Sequence, residues 1–282
     1  MDKKHLFVTD LDGTLLGPDS KVSPISAEII SSLSREGALI TAATARTPAT
    51  VEPLLCDTGI SIPIIVMTGA AMWDREGKRY LATTLVSPDI IPEIMTSFAE
   101  NKVNPFIYVL PTDGSVMTVY HNGRLTNAEQ RFIDDRRGLR FKRFCLDSPK
   151  GAEYPLPGTI LIFAMGSRNQ LDPIAQQLKT DDRCSFSYYN DIFNHDLAYI
   201  EIFGPGVSKA SAITKLAARL GATRITVYGD NLNDLSMMQI ADEGVAVANA
   251  VPELTAAATR TIGPNTESSV ARDIMKQLKI HF

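Results

Sequence analysis

The sequence predicts an α/β fold: a doubly wound, mainly parallel core sheet interrupted by an inserted α+β domain. Three features carry this expectation. The chain opens on a strand, a helix and a strand in close succession; apolar runs near both ends stop at acidic turns; and the middle changes texture toward short strands separated by Asp-Gly and Asn-Gly turns. At 282 residues the chain exceeds the usual single-domain size, which fits two domains and leaves length for a sizeable core.

His5-Leu6-Phe7-Val8-Thr9 reads as a short buried strand that stops at Asp10-Leu11-Asp12-Gly13-Thr14-Leu15. Ser23-Pro24 supplies an N-cap and an N1 proline, and Ile25, Ile29, Ile30 and Leu33 recur at helical spacing until Gly37. Residues 38–44 read as a second buried strand, and a strand, helix and strand of this kind pair in parallel through a right-handed crossover. Thr44 is therefore expected beside Asp10, at one edge of the sheet. Thr47-Pro48 opens another helix, and residues 63–67 form a third strand ending in Thr68-Gly69-Ala70.

Residues 84–197 make the expected insertion. Ser87-Pro88 starts a helix through Glu100, and turns at Asp113-Gly114 and Asn122-Gly123 signal hairpins rather than crossovers. A helix over 127–137, a Pro/Gly-rich patch over 148–158, a strand over 159–165, a helix near 171–178 and a strand over 184–189 follow. The core pattern resumes at Tyr199, so residues 1–83 and 198–282 form the core. There the chain reads as a helix over 207–220 closed by Gly221, then an apolar strand ending in Gly229-Asp230-Asn231-Leu232-Asn233-Asp234. A helix from about Leu235, a strand over 244–248 and helices over 252–258 and 268–279 complete it.

Composition excludes several functions. A net charge of −4 without any Lys/Arg-rich run gives no footprint for nucleic acid. No apolar run approaches the roughly 20 residues of a membrane span, and the start of the chain lacks a secretory apolar stretch. The three cysteines, Cys56, Cys145 and Cys184, are widely spaced without metal-ligand spacing. Free thiols in a reducing, cytoplasmic setting are the expectation.

The acidic turns carry the chemistry. Asp10 and Asp12, two apart in extended chain, point the same way, and like charges held close need a cation, a shared proton or a ligand. Aspartate is also a nucleophile towards phosphorus. Ligands of open α/β sheets bind beyond the carboxyl ends of the strands, where topology gathers Asp10 and Asp12, Thr44, Lys209, and the Asp230, Asn233 and Asp234 turn. Oxygen-only donors that leave room for water and phosphate oxygens suit Mg²⁺.

These stretches resemble the haloacid dehalogenase-like superfamily of phosphohydrolases, in its Cof-type branch with a Rossmann-like core and a large α/β cap. The resemblance spans nearly the whole chain: Asp10-Leu11-Asp12-Gly13-Thr14-Leu15 is similar to the first family motif, Ala43-Thr44-Ala45-Arg46 to the second, Gly206-Val207-Ser208-Lys209 to the third and Gly229-Asp230-Asn231-Leu232-Asn233-Asp234 to the fourth. Val247-Ala248-Asn249-Ala250 also looks like the branch. The resemblance implies Asp10 as phosphoryl acceptor, Asp12 as general acid/base, and Thr44, Ala45, Arg46, Lys209 and Asn233 as the phosphate and substrate-binding set. It implies Mg²⁺ held by Asp10, the Asp12 carbonyl and Asp230, with Asp234 supporting or completing the shell. The insertion takes the place of the cap, which selects the substrate.

Four positions depart from the family pattern: Ala45 stands for a usual Gly, Thr68 for a usual Asn, and Ala210 and Ser269 for common Gly. An Ala at position 45 is strained if that position has positive φ. Tyr188-Tyr189 and His195, near the return to the core, are expected to pack there. The reaction implied is Mg²⁺-dependent hydrolysis of a small phosphorylated metabolite, such as a sugar phosphate, through an aspartyl phosphate. A phosphomutase of the same superfamily and a non-catalytic phosphometabolite-binding protein are the alternatives. No nucleic-acid or membrane partner is expected.

Overall fold

The computed structural model describes residues 4–110, 116–146, 157–190 and 196–279. The chain divides into two compact units, Met1–Ala82 with Ser208–Phe282, and Thr83–Val207.

The first unit begins with β1 (His5–Thr9), buried along its length. α1 (Pro24–Arg35) starts where the Ser23 hydroxyl accepts from the Ser26 N–H, with Pro24 in the first turn, and turns Ile29, Ile30 and Leu33 inward. β2 (Leu39–Ala42) pairs in parallel with β1, so the expected crossover is present. α2 (Pro48–Leu54) leads to β3 (Ile64–Val66), joined to this sheet through a parallel bridge between Ala43 and Ile65. β3 then continues into a separate three-stranded sheet with β4 (Ala71–Asp74) and β5 (Arg79–Thr83).

The second unit contains α3 (Ile91–Glu100), β6 (Phe106–Val109), β7 (Met117–His121), α4 (Asn127–Asp134), β8 (Lys142–Leu146), β9 (Thr159–Gly166), α5 (Arg168–Leu178), β10 (Ser185–Asn190) and β11 (Ala198–Phe203). Its six-stranded sheet has the order β10-β11-β9-β6-β7-β8. α3 and α5 bury Ile91, Ile94, Phe98, Leu171 and Ile174 with Ile162, Ala164, Ile200 and Ile202 of the sheet.

Two expectations need correction here. Residues 198–203 are the strand β11 of this sheet, paired antiparallel with both β9 and β10, and do not reopen the core. Their largely buried texture misled, because a central strand of any sheet reads like a core strand. Asn122-Gly123 does not make a hairpin: β7 pairs in parallel with β8 across α4. Thr126 and Glu129 form a reciprocal cap that diverts the chain into a helix directly after Gly123. β6 and β7 do pair antiparallel, while Asp113-Gly114 itself, most of the Pro/Gly-rich patch and His195 lie outside the described residues. Tyr188 and Tyr189 lie on β10.

The chain returns to the first unit through α6 (Lys209–Leu220), β12 (Arg224–Gly229), α7 (Leu235–Ile240), β13 (Glu243–Val247), α8 (Pro252–Ala257), β14 (Arg260–Ile262) and α9 (Ser269–Gln277). The five-stranded sheet β14-β13-β12-β1-β2 is parallel throughout. From β1 the order runs one way through β2, and from β12 the other way through β13 and β14. The reversal lies between β1 and β12, where such sheets open a crevice at their carboxyl ends.

Candidate active site

The register of three strands brings the acidic turns together. The Asp10 N–H donates to the Tyr228 carbonyl (2.9 Å), and the Ala43 N–H donates to the Thr9 carbonyl (2.9 Å). Asp10, Thr44 and Asp230 thus leave β1, β2 and β12 at one edge. The Leu16 N–H closes the turn after Asp10 onto the Leu11 carbonyl (2.8 Å). Gly13, at φ +79°, is required twice over: a Cβ there would stand 2.3 Å from Asp230 Oδ2. The Thr14 hydroxyl donates to Asp230 Oδ1 (2.9 Å). The turn is also tied to the far strands, since Asn249 Nδ2 donates to the Gly13 carbonyl (2.8 Å) and the Asn265 N–H donates to Asn249 Oδ1 (3.0 Å).

Lys209 opens α6, where the Ser208 hydroxyl accepts from the Ser211 N–H (3.0 Å). Its Nζ donates to Asp10 Oδ1 at 2.6 Å and to Asp234 Oδ1 at 2.7 Å. Lys209 and Asp234 are fully buried and Asp10 nearly so. Asp234 Oδ2 accepts from the Asp230 and Asn231 N–H groups (3.0 and 3.2 Å). Both oxygens of Asp234 therefore serve to hold Lys209 and the 230–231 backbone.

Burial pushes the Asp10 carboxyl up, and Asp234 and Asp230 add to the push while Lys209 pulls back. Asp230 is pushed up to about 6, by burial first and then by Asp234. For Lys209 burial alone would favour the neutral amine, yet the two carboxylates together hold its pKa above the ordinary lysine value. The cluster therefore contains one firmly charged ammonium and an excess of carboxylate.

Asp10, Asp230 and Asp234 each offer an oxygen such that all three lie within 4.8 Å of one another. Asp10 Oδ2 and Asp230 Oδ2 accept from no donor among the described residues. Two unengaged hard oxygens beside a carboxylate excess fit a small divalent cation.

Asp12 points elsewhere. Arg46 Nε and Nη2 grip its two oxygens at 2.7 and 2.6 Å, in the fork geometry that favours a carboxylate. Asp12 is half exposed. Thr44 Oγ1 accepts from the Arg46 N–H (3.2 Å), and the 67–69 turn braces this segment through the Met67 and Thr68 N–H groups, which donate to the Arg46 and Thr44 carbonyls (3.0 Å each). Positive φ falls at Met67 (50°) and Thr68 (56°), and Ala45 is not among the positive-φ residues. Strain thus sits where Thr68 replaces the usual Asn, because a β-branched residue resists the left-handed region that Asn tolerates.

Of the residues singled out in the sequence, Asp10, Lys209, Asp230 and Asp234 form one contiguous cluster, and Asp12 and Arg46 form a pair. Ala45 is half-buried between Thr44 and Arg46, and Asn233 is exposed on its turn without a hydrogen bond among the described residues. Asn249 and Asn265 were not expected in structural roles; the only signal was the Val247-Ala248-Asn249-Ala250 stretch, which names no partner.

A parallel α/β sheet with carboxylates and a buried lysine gathered at its switch point has the form of an enzyme active site. The family model of haloacid dehalogenase-like hydrolases matches residues 7–274, and the chain belongs to that family. Among curated relatives, the HMP-PP phosphatase of Serratia proteamaculans is 26% identical over 89% of this chain and 86% of its own length. The pyridoxal phosphate phosphatase YbhA of Escherichia coli is 25% identical over 97% of this chain and 98% of its own. A haloacid dehalogenase-like hydrolase from Bacteroides thetaiotaomicron shares the fold at TM-score 0.77 and 21% identity, covering 97% of this chain and 99% of that one.

Proposed function

We propose that this enzyme is a divalent-metal-dependent phosphatase, using Mg²⁺, that hydrolyses small phosphorylated metabolites through an aspartyl phosphate at Asp10. The observation that carries the reading is the placement of Lys209 between Asp10 and Asp234. It fixes one Asp10 oxygen and leaves the other facing the crevice as a nucleophile. Asp10, Asp12, Asp230 and Asp234 bring four potential negative charges against Lys209 and Arg46, so a phosphate dianion is repelled from the bare site. Asp10 and Asp230, with the Asp12 carbonyl, would hold a divalent cation, which would supply the charge neutralisation.

The residues divide the remaining work. Asp10 attacks phosphorus in line with the leaving oxygen. An incoming phosphate competes with Asp12 for Arg46, and once the guanidinium has turned to the phosphate the Asp12 carboxylate takes a proton from solvent and gives it to the leaving alkoxide. Asp12, now ionised, takes a proton from water, which then opens the aspartyl phosphate. Thr44 and the N-terminal turn of α6 orient phosphate oxygens, and Asn233 meets them from the fourth motif. Asp234 keeps Lys209 and the Asp230 turn in place. Residues 83–207 serve as the cap that selects the leaving group. Among the described residues no helix is long and apolar enough to cross a membrane, and the three cysteines are free.

The test is phosphate release across phosphorylated sugars, vitamins and nucleotides with Mg²⁺. Asp10→Asn is expected to lower release by about 10⁴-fold or more with the fold intact by circular dichroism, and excess chelator is expected to stop the wild type reversibly. Release at the wild-type rate in either case overturns the mechanism.

A further inference from the structure

The turn that carries Asp12 is held from the far strands of its sheet. Nδ2 of Asn249, beyond β13, donates to the Gly13 carbonyl (2.8 Å), and Nδ2 of Asn265, beyond β14, donates to the Leu16 carbonyl (2.7 Å). The two asparagines are joined to each other, since the Asn265 N–H donates to Asn249 Oδ1 (3.0 Å). Their own footing is fixed: the Pro264 carbonyl accepts from Ser269 Oγ (2.8 Å), and the Val251 N–H donates to the Asp230 carbonyl (2.9 Å). One short relay thus reaches both acidic turns.

What the relay holds is the part of the turn least able to hold itself. Gly13 sits at φ +79° without a side chain, so its backbone, and through it the direction of the neighbouring peptides, is the freest in the turn. The bond to its carbonyl removes that freedom. The Asp12 carboxylate has Arg46 as its one hydrogen-bond partner among the described residues, and in the proposed reaction Arg46 turns to the phosphate. From that moment the backbone at 12–13 aims the Asp12 carboxyl.

We propose that Asn249 and Asn265 are positioning residues, which keep the Asp12 carboxyl aimed at the leaving oxygen while Arg46 is engaged by phosphate. The inference rests on the phosphatase reading. Such a relay matters only where the acid is needed: a leaving group that departs as a stable anion does without the proton, and an aliphatic alkoxide does not.

Two phosphate esters separate these cases, para-nitrophenyl phosphate and ethyl phosphate. In Asn265→Ala, kcat for ethyl phosphate is expected to fall about tenfold, the order of one lost hydrogen bond in a network, while kcat for the nitrophenyl ester stays within a few-fold. Asn265→Asp, which keeps the volume and loses the donor, should do the same. In an Asp12→Asn background, Asn265→Ala should leave the ratio of the two esters where Asp12→Asn alone puts it, because the acid that the relay aims is gone. A merely structural role would lower both esters alike in either background. A second readout needs no turnover: amide hydrogen exchange in the peptide spanning residues 10–16 should quicken about tenfold in Asn265→Ala, with β12 unchanged. No release from either ester by the wild type would sink the phosphatase reading, and quickened exchange would then leave the hold on the turn standing. Release with an unmoved ester ratio, or unmoved exchange over residues 10–16, would overturn the relay.

Discussion

Two lysines are buried among the described residues, one in each unit, and the fold treats them in opposite ways. Lys209 reaches two carboxylates at 2.6 and 2.7 Å and keeps its proton far above neutral pH. Lys142 reaches three ring faces and a neighbouring guanidinium, and its amine is pushed down to about 7. Burial disfavours the ammonium at both places. Partners alone decide the outcome: at Lys209 two carboxylates balance the charge, and at Lys142 no carboxylate among the described residues does.

The largest test of this contrast is Lys209→Met. It leaves Asp10 and Asp234 as uncompensated buried carboxylates, so unfolding in urea should show a loss of about 3–5 kcal/mol. Phosphate release should fall by about 10²–10³-fold, the usual cost of removing one preorganised charge partner. An unchanged urea midpoint would mean that the pair contributes nothing to the fold. Lys142→Met should act in the reverse direction, raising stability at pH 7 by on the order of 3 kcal/mol, because a residue of similar volume replaces an unpaired amine.

The pH dependence sharpens the same point. Folding depresses the Lys142 pKa from 10.5 to about 7, so between those values the unfolded chain binds the extra proton. The wild type should therefore gain stability relative to Lys142→Met as pH rises through this window, by up to about 1.4 kcal/mol per unit, and the gap should close near pH 10. A gap that stays constant from pH 7 to pH 10 would refute the low pKa. The smallest expected effect is Asn249→Ala, which removes the bond to the Gly13 carbonyl. It should cost about 1 kcal/mol and raise KM for phosphate esters modestly, while kcat for an activated ester stays within a few-fold.

The contrast also explains what the sequence could and could not disclose. Lys209 was legible because it sits in a short stretch, Gly206-Val207-Ser208-Lys209, whose order relative to the acidic turns is informative. The turns themselves were legible for the same local reason: Asp10 follows β1, and Asp230 and Asp234 lie in the turn after β12, both apolar strands whose parallel pairing follows from chain order. Lys142 was invisible, because Phe141-Lys142-Arg143-Phe144 reads as an ordinary edge strand with a solvated basic face. Nothing local says that Phe132 and Tyr108 will close over it. The Arg46 grip on Asp12 joins residues 34 apart in the chain, and the Asn249 bond to Gly13 joins residues 236 apart; no periodicity reports contacts of that range. β11 was misassigned for a related reason, since sequence texture reports burial but not which sheet does the burying.

The position of β1 inside its sheet has a consequence for how the protein is made. β1 lies between β2 and β12, and its second edge pairs His5 with Arg224 and Thr9 with Tyr228. During synthesis β1 emerges before β12, finds β2 within a short stretch of chain, and its other edge then waits until the whole unit Thr83–Val207 and the helix after it have left the ribosome. An apolar strand with a bare row of amides and carbonyls is a template for association with other chains. The nascent chain that holds β1 and β2 without β12 is thus an aggregation-prone form, and the long-range pairing that builds the crevice is also the step that sets how fast that hazard ends.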